Sequence, residues 1–214
     1  MKIKRGKYVV IGDSLSTGTL SLFRDMPTWL SFKFKKVVIN GGIWSNTLQQ
    51  VYDRLDADVV VYKLQHAIIL CGTNNINNSD TEANIRTYIT NITDKIQENN
   101  ISPIWLTILL RTDNASLLQK IINRNYWLQN FCRVNGLVFV DIYSSLLTNE
   151  ESVLSVKSGV LLEDLLHLTA DGHRIVAETV YTAIKNNDSI ELPNICGGDV
   201  STTIGNNKFF VFSN

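Results

Sequence analysis

The chain has 214 residues with 20 basic and 20 acidic side chains, so its formal net charge is zero. That balance argues against a surface for nucleic acid or an anionic membrane, and the apolar runs are far shorter than the roughly 20 residues of a membrane-spanning helix. Three widely spaced cysteines without a CxxC pair argue against zinc and a disulfide framework, and favour a reducing compartment. The length predicts one domain with a large core.

The basic segment 1–7 leads into the first apolar run. Because that run, Tyr8–Ile11, is short and is followed by Gly12 and Asp13 rather than a small-residue cleavage site, the segment lacks the pattern of a signal peptide. We therefore expect a cytoplasmic protein, or a component of a phage or virion assembly.

Apolar, strand-like runs alternate with segments of helical period along the chain. The predicted strands are Tyr8–Gly12, Lys36–Asn40, Ala67–Cys71, Pro103–Leu109 and Leu137–Ile142. The predicted helices are Leu20–Phe34, Thr47–Tyr62, Thr81–Asn99, Ser116–Val134 and Ala170–Lys185. The strands are nearly continuous in Val, Ile and Leu, which is typical of strands buried on both faces. This alternation predicts an α/β fold with a parallel sheet between two layers of helices.

We predict that the domain spans residues 1–187 and that residues 188–214 form a C-terminal extension. The polar sequence Asn186-Asn-Asp-Ser189 ends the last helical pattern, and Lys208-Phe-Phe-Val-Phe212 is apolar enough to pack on something. The extension could add an edge strand, or it could contact a second copy of the chain or a larger assembly such as a phage tail.

Four polar blocks stand where the predicted strands end or where the last helix begins. They are Gly12-Asp13-Ser14, Asn40-Gly41-Gly42, Gly72-Thr73-Asn74-Asn75 and Asp164-Leu-Leu-His167. Because ligands of an open parallel sheet bind beyond the carboxyl ends of the strands, we expect these blocks to converge on one rim. Together they supply a hydroxyl, an amide, flexible backbone donors and an Asp/His pair.

A serine nucleophile such as Ser14 needs a base that accepts its proton and a third group that orients the base. His66 precedes the third strand and so lies at the wrong end of the sheet, and we expect His173 to lie within the last helix, past its first turn, and to face solvent. His167 remains. On a tight turn, Asp164 can fold back onto Nδ1–H of that ring and leave Nε2 facing Ser14.

A tetrahedral oxyanion needs fixed hydrogen-bond donors. The natural set is the backbone N–H of Ser14, the backbone N–H of Gly42 and the side-chain amide of Asn74. Glycine at position 42 lets the main chain approach a substrate closely.

Each of these residues also has a structural interpretation. Ser14 and Asp13 could cap the first helix, Asn74 could form an Asx turn, and Asp164 with His167 could be a surface pair ahead of a helix.

Four further residues are candidates for contact with the substrate: Asp13, Trp44, Asn75 and Arg111. Trp44 could pack on the next helix or form a platform for a sugar or an acyl group. Arg111, just after the fourth strand, could reach the rim or remain solvated.

These four blocks, in this order, resemble the SGNH (GDSL-type) hydrolase family, and the resemblance runs from about Tyr8 to Lys185. It implies a three-layer flavodoxin-like sandwich with a five-stranded parallel sheet. It also implies Ser14 as nucleophile, His167 as base and Asp164 as the group that orients it, with the oxyanion donors named above. Members of the family are esterases, lipases, thioesterases and carbohydrate acetylesterases that act without metal or cofactor.

Two positions depart from the usual pattern of the family: Asn75 stands where Asp is common, and Ser45, beside Trp44, replaces a later glycine. The sequence Gly-Thr-Asn-Asn with a downstream Leu-His-Leu-Thr is similar to the branches that remove short acyl groups. We therefore predict a serine esterase that removes a short acyl group, acetyl in the first place, from a small-molecule or polysaccharide ester through an acyl-enzyme. A carbohydrate O-acetyl ester is the first choice of substrate. An acyltransferase or thioesterase with the same triad, and a glycan-binding module without activity, are the alternatives.

Overall fold

The computed structural model describes residues 8–18, 24–109, 114, 117–150, 153–186 and 189. Arg111 and, apart from Ser189, the predicted extension 188–214 lie outside these residues. The predicted domain boundary and the contacts of the extension therefore stay predictions.

A five-stranded parallel sheet forms the centre of the fold, as predicted. Its strands are β1 (Tyr8–Gly12), β2 (Val38–Gly42), β3 (His66–Leu70), β4 (Ser102–Leu106) and β5 (Val138–Val140), in the spatial order β2-β1-β3-β4-β5. β4 and β5 end earlier than predicted, because the backbone beyond them bonds to side chains instead of a neighbouring strand: Ile108 to Asn125, and Ile142 to Thr107.

The helices are α1 (Ser14–Thr17), α2 (Met26–Phe34), α3 (Leu48–Asp53), α4 (Leu55–Asp58), α5 (Thr73–Asn77), α6 (Glu82–Glu98), α7 (Leu118–Val134) and α8 (Ala170–Asn186). Two 3₁₀ turns, Val60–Tyr62 and Ser144–Leu146, and an antiparallel hairpin of β6 (Leu147–Glu150) and β7 (Val153–Val156) complete the described elements. The predictions did not include α1, α5, the second 3₁₀ turn or the hairpin.

The prediction of one continuous helix over Thr47–Tyr62 is wrong. The helix begins with a capping box between Thr47 and Gln50, and it is interrupted at Arg54, where φ is −105° and ψ is 4°. A second interruption at Val59 precedes the 3₁₀ turn. The first interruption matters for the site, because it allows the side chain of Arg54 to reach the ends of two strands.

Alternate residues of the central strands face opposite layers of helices, which makes the three-layer sandwich. Val9 and Ile11 of β1 pack with α3, α6 and α7, whereas Val10 packs with α2 and α8. On α6, four isoleucines at helical spacing form a buried stripe: Ile85, Ile89, Ile92 and Ile96. No helix in the described parts of the chain is long and apolar enough to cross a membrane.

The register of β1 brings the predicted blocks together at the carboxyl end of the sheet. Gly12 pairs with Gly42 on one side and with Leu70 on the other. A β-carbon at position 12 would lie 1.8 Å from the Leu70 carbonyl oxygen, so only glycine fits there. The chain can then turn at once from β1 into the loop that presents Ser14.

Candidate active site

A chain of hydrogen bonds joins Ser14, His167 and Asp164. Ser14 Oγ lies 3.0 Å from His167 Nε2, and Asp164 Oδ2 lies 2.6 Å from Nδ1 of the same ring. With its proton on Nδ1, the neutral ring donates to Asp164 and accepts the proton of the serine hydroxyl. This arrangement can remove the hydroxyl proton as the oxygen attacks an electrophile.

A tight turn produces this geometry from the three-residue spacing of Asp164 and His167. Asp164 Oδ1 accepts hydrogen bonds from the backbone N–H groups of Leu166 and His167, at 3.0 and 2.9 Å, and Leu165 adopts a left-handed φ of 57°. Burial alone would raise the pKa of Asp164, but these bonds and the one from the His167 ring outweigh it and lower the pKa. The carboxylate is therefore held charged beside the ring.

Asp13 forms the cap of α1 and is not exposed to a substrate. Its Oδ1 accepts the Leu15 N–H at 2.9 Å, and the residue is only 1% exposed. Burial raises its pKa to about 7, although the bond from Leu15 lowers it in part. The prediction of Asp13 as a substrate contact is wrong, whereas its interpretation as a helix cap is confirmed.

Asn74 lies on the first turn of α5, directly after β3, with its amide near the site. One Nδ2 hydrogen bonds to the Asn46 carbonyl oxygen at 3.0 Å, which leaves the second hydrogen of the NH₂ group for another acceptor. Among the described residues, the Ser14 N–H has no acceptor. Two of the three predicted oxyanion donors are thus available.

The third predicted donor, the Gly42 N–H, is occupied in this structure. It donates to Asn40 Oδ1 at 3.1 Å, and a β-carbon on Gly42 would lie 2.7 Å from the Thr17 nitrogen. The open side of Gly42 therefore faces α1 and not a bound ester. Position 42 requires glycine because its backbone packs closely against α1, and not because a substrate approaches it.

The turn Ile43–Asn46 follows Gly42 and is held by a bond from the Asn46 N–H to the Ile43 carbonyl, at 3.3 Å. Ser45 occupies the left-handed position of this turn with a φ of 58°, where glycine is normally favoured. Within the described structure, no acceptor pairs with the Ser45 N–H. The turn thus presents an available backbone donor one residue before Asn46, whose carbonyl binds Asn74.

Trp44 and Asn75, both predicted as substrate contacts, have different environments. The Trp44 side chain is 46% exposed, and its ring stacks on His167 with centroids 6.0 Å apart and planes inclined by 22°. Asn75 is fully buried, accepts the Leu48 N–H at 2.8 Å and donates to Asp80 at 2.7 Å. The prediction for Asn75 is wrong, because both ends of its amide hold the fold together.

The two other histidines are not part of the triad. His66 begins β3 at the amino end of the sheet, as predicted, and stacks on Tyr8. His173 is wrongly predicted to face solvent: it lies in the first turn of α8, is 2% exposed, and burial lowers its pKa to about 4. Its spacing to Val176 and Val180 of the buried stripe is the sequence signal for this position.

Two residues beside the site were not predicted, Asn46 and Arg54. Arg54 Nε donates to Asn46 Oδ1 at 2.8 Å, and Asn46 in turn accepts from Asn74. The sequence does contain a signal that could have identified Arg54. It stands three residues after Val51, so the helical pattern places an arginine on the buried face.

Comparison with known proteins identifies the family. The sequence model of the GDSL-like lipase/acylhydrolase family matches residues 10–175. A search of curated proteins finds no match.

Solved structures share the fold. A protein from Desulfitobacterium hafniense DCB-2, assigned to the G-D-S-L lipolytic family, superposes with a TM-score of 0.74 at 23% identity, over 83% of this chain and 99% of that one. A catalytic variant of Axe2, an acetylxylan esterase from Geobacillus stearothermophilus, superposes with a TM-score of 0.70 at 17% identity, over 86% of this chain and 96% of that one. The esterase EstA from a Pseudoalteromonas species superposes with a TM-score of 0.68 at 19% identity, over 84% of this chain and 96% of that one.

Proposed function

The chain belongs to the GDSL-like lipase/acylhydrolase family, and we propose that it is a serine esterase that removes acetyl groups from carbohydrate O-acetyl esters. The observation that carries the proposal is the bonded series Asp164–His167–Ser14 at the carboxyl end of the sheet. Each member is chemically competent for its role, since the hydroxyl can attack, the ring can carry a proton and the carboxylate can hold the ring.

In the first half-reaction, Ser14 Oγ attacks the ester carbonyl carbon while its proton passes to His167 Nε2. The carbonyl electron pair moves onto oxygen and forms a tetrahedral oxyanion. This collapses, the bond to the alcohol oxygen breaks, and the alcohol leaves with the proton from Nε2. Acetyl remains on Ser14, and Asp164 stabilises the imidazolium that forms in between.

In the second half-reaction, a water molecule attacks the acetyl carbon and gives a proton to His167 Nε2. The second tetrahedral oxyanion collapses, the bond to Ser14 Oγ breaks, and this oxygen takes the proton back. Acetic acid leaves, ionises in solution, and the free enzyme is restored. No other group has to supply atoms or electrons.

For the oxyanion we propose the Ser14 N–H and the Asn74 amide, with the Ser45 N–H in place of that of Gly42. The support is that the Ser45 N–H has no acceptor among the described residues, whereas the Gly42 N–H is bonded to Asn40. An amide-to-ester substitution of the main chain tests the choice, because it removes a single N–H. We expect a 10²- to 10³-fold loss of kcat at position 45 and a much smaller loss at position 42; the reverse order would restore Gly42 as the donor.

A carbohydrate ester is favoured by Trp44, whose half-exposed ring lies against His167. A flat aromatic face at this distance from the base can stack on a sugar ring whose acetyl group points at Ser14. Two of the structural neighbours, Axe2 and AlAXEase, are acetylxylan esterases, which adds support for an acetylated sugar as the substrate class.

The test is hydrolysis of p-nitrophenyl acetate, butyrate and octanoate, and of an acetylated xylooligosaccharide, by the wild type and Ser14→Ala. We expect acetate release from the sugar, a preference for acetyl over octanoyl, and a loss on the order of 10⁶ in kcat for the variant. Wild-type rates in Ser14→Ala would overturn the triad, and a preference for octanoate would overturn the acetyl assignment. Product transferred to an added alcohol, or faster cleavage of a thioester, would indicate the acyltransferase or thioesterase instead.

A further inference from the structure

Arg54 bonds to two of the three strands that end at the site, β1 and β2. Its side chain, only 15% exposed, lies between α3 and α4. Nη2 donates to the Gly12 carbonyl and Nη1 to the Gly41 carbonyl, both at 2.8 Å. One guanidinium therefore ties the carboxyl end of β1 to that of β2.

The same side chain also holds the turn that supports the Asn74 amide. Nε donates to Asn46 Oδ1 at 2.8 Å, and the Asn46 carbonyl accepts Asn74 Nδ2 at 3.0 Å. Gly12, whose carbonyl accepts from Nη2, is two residues before Ser14. A single hydrogen-bonded residue therefore connects Arg54 to each part of the site: Gly12 connects it to the loop of Ser14, and Asn46 connects it to the Asn74 amide.

The charge of Arg54 is compensated locally. Asp58, four residues later, accepts from Nη1 at 2.5 Å. The guanidinium thereby bonds in four directions, and its planar, rigid shape fixes their relative angles. A lysine ammonium could form some of these four hydrogen bonds but could not reproduce the planar arrangement of donors.

We propose that Arg54 is a positioning residue for ester hydrolysis, which sets the distance between the Ser14 loop and the Asn74 amide by bonding to Gly12 and Asn46. This role rests on the proposed function. It differs from a general contribution to folding, for which Arg124 is the comparison. That arginine is also buried, but its hydrogen bonds join α7 to Glu82 of α6, and none among the described residues links it to the site.

The experiment compares Arg54→Met, Arg54→Lys and the matched control Arg124→Met by kcat and KM for p-nitrophenyl acetate, with thermal unfolding on the same samples. We expect Arg54→Met to lower kcat by about 10- to 100-fold, as a displacement near 1 Å can do, with KM changed less than about threefold. Arg54→Lys should recover part of kcat. Arg124→Met should lower the unfolding temperature and leave kcat unchanged.

A second comparison tests the route through Asn74. If Arg54 acts by positioning that amide, Arg54→Met should cost much less in an Asn74→Ala background than in the wild type, because residues that act as a unit are not additive. Full additivity would overturn this route. Wild-type kcat in folded Arg54→Met would overturn the positioning role while leaving the esterase assignment intact.

Two controls keep the outcomes distinct. If Arg54→Met does not fold, Asn46→Ala serves instead: it removes the Nε acceptor, together with the 3.5 Å bond from Asn46 Nδ2 to the Trp44 carbonyl, and retains the carbonyl that binds Asn74. Wild-type kcat in that variant would overturn the role. If the wild type itself shows no hydrolysis that depends on Ser14, the proposed function fails, and the role of Arg54 fails with it.

Discussion

Asp164 Oδ2 lies 2.6 Å from Nδ1 of His167, while Nε2 on the other edge of that ring lies 3.0 Å from the Ser14 hydroxyl, 153 residues away in sequence. The pair Asp164–His167 is local and comes from a single turn, whereas the contact to Ser14 requires the whole sheet. The orientation of the ring therefore depends on Asp164, and its distance to the serine depends on the fold.

The variant Asp164→Asn should impair the orientation of the His167 ring while leaving the fold intact. The amide can still accept the two backbone bonds of the turn, but it cannot stabilise an imidazolium and can favour the wrong tautomer of His167. We expect kcat for p-nitrophenyl acetate to fall about 10⁴-fold, as in other triads, with an unfolding temperature close to that of the wild type. Wild-type kcat would contradict the role of Asp164.

The adjacent residues Asn74 and Asn75 make a matched pair of variants with opposite expectations. Asn74→Ala removes a proposed oxyanion donor, so kcat should fall by about 10²- to 10³-fold with little change in stability. Asn75→Ala leaves the buried Leu48 N–H without its acceptor and also removes a bond to the exposed Asp80, and the unpaired N–H should cost about 1–3 kcal/mol in the free energy of unfolding. Steady-state kinetics and urea unfolding on both variants check this, and an exchange of the two effects would contradict the assignment.

Trp44→Ala should weaken binding of an acetylated sugar more than binding of a small aryl acetate. Loss of a stacking surface worth about 1 kcal/mol should raise KM for the sugar ester several-fold, whereas we expect binding of the smaller aryl ester to depend chiefly on Ser14 and the proposed oxyanion donors. Trp44→Phe should lie between. Phe32→Ala, which removes a 72% exposed ring on α2, is the control and should change neither KM. Equal effects of Trp44→Ala on both substrates would contradict a sugar platform.

Much of the fold follows from local sequence patterns, since apolar runs define the strands and a stripe such as Ile85–Ile96 defines a helix face. The triad was predictable because parallel topology carries the ends of distant strands to one rim. The backbone of the turn Ile43–Asn46 was not predicted, because serine does not by itself indicate a left-handed φ; the one hint was that Ser45 stands where the family usually has glycine. The interruption of the helix at Arg54 was not predictable either, because arginine, leucine and alanine all favour helix. Only the tertiary hydrogen bonds from Arg54 to the ends of two strands favour a break there.

The burial of Asp13 predicts a pH dependence of stability. Its pKa is about 7 in the folded protein and near 3.8 when exposed, so between these values the folded state holds a proton that the unfolded state has lost. The stabilisation is present below about pH 4 and is lost as the pH rises towards 7, by up to about 4 kcal/mol. Asn cannot ionise and can keep the bond from the Leu15 N–H, so the free energy of unfolding of Asp13→Asn, relative to the wild type, should rise over this range. Chemical unfolding at several pH values measures the difference, and parallel curves for the two proteins would contradict a neutral Asp13.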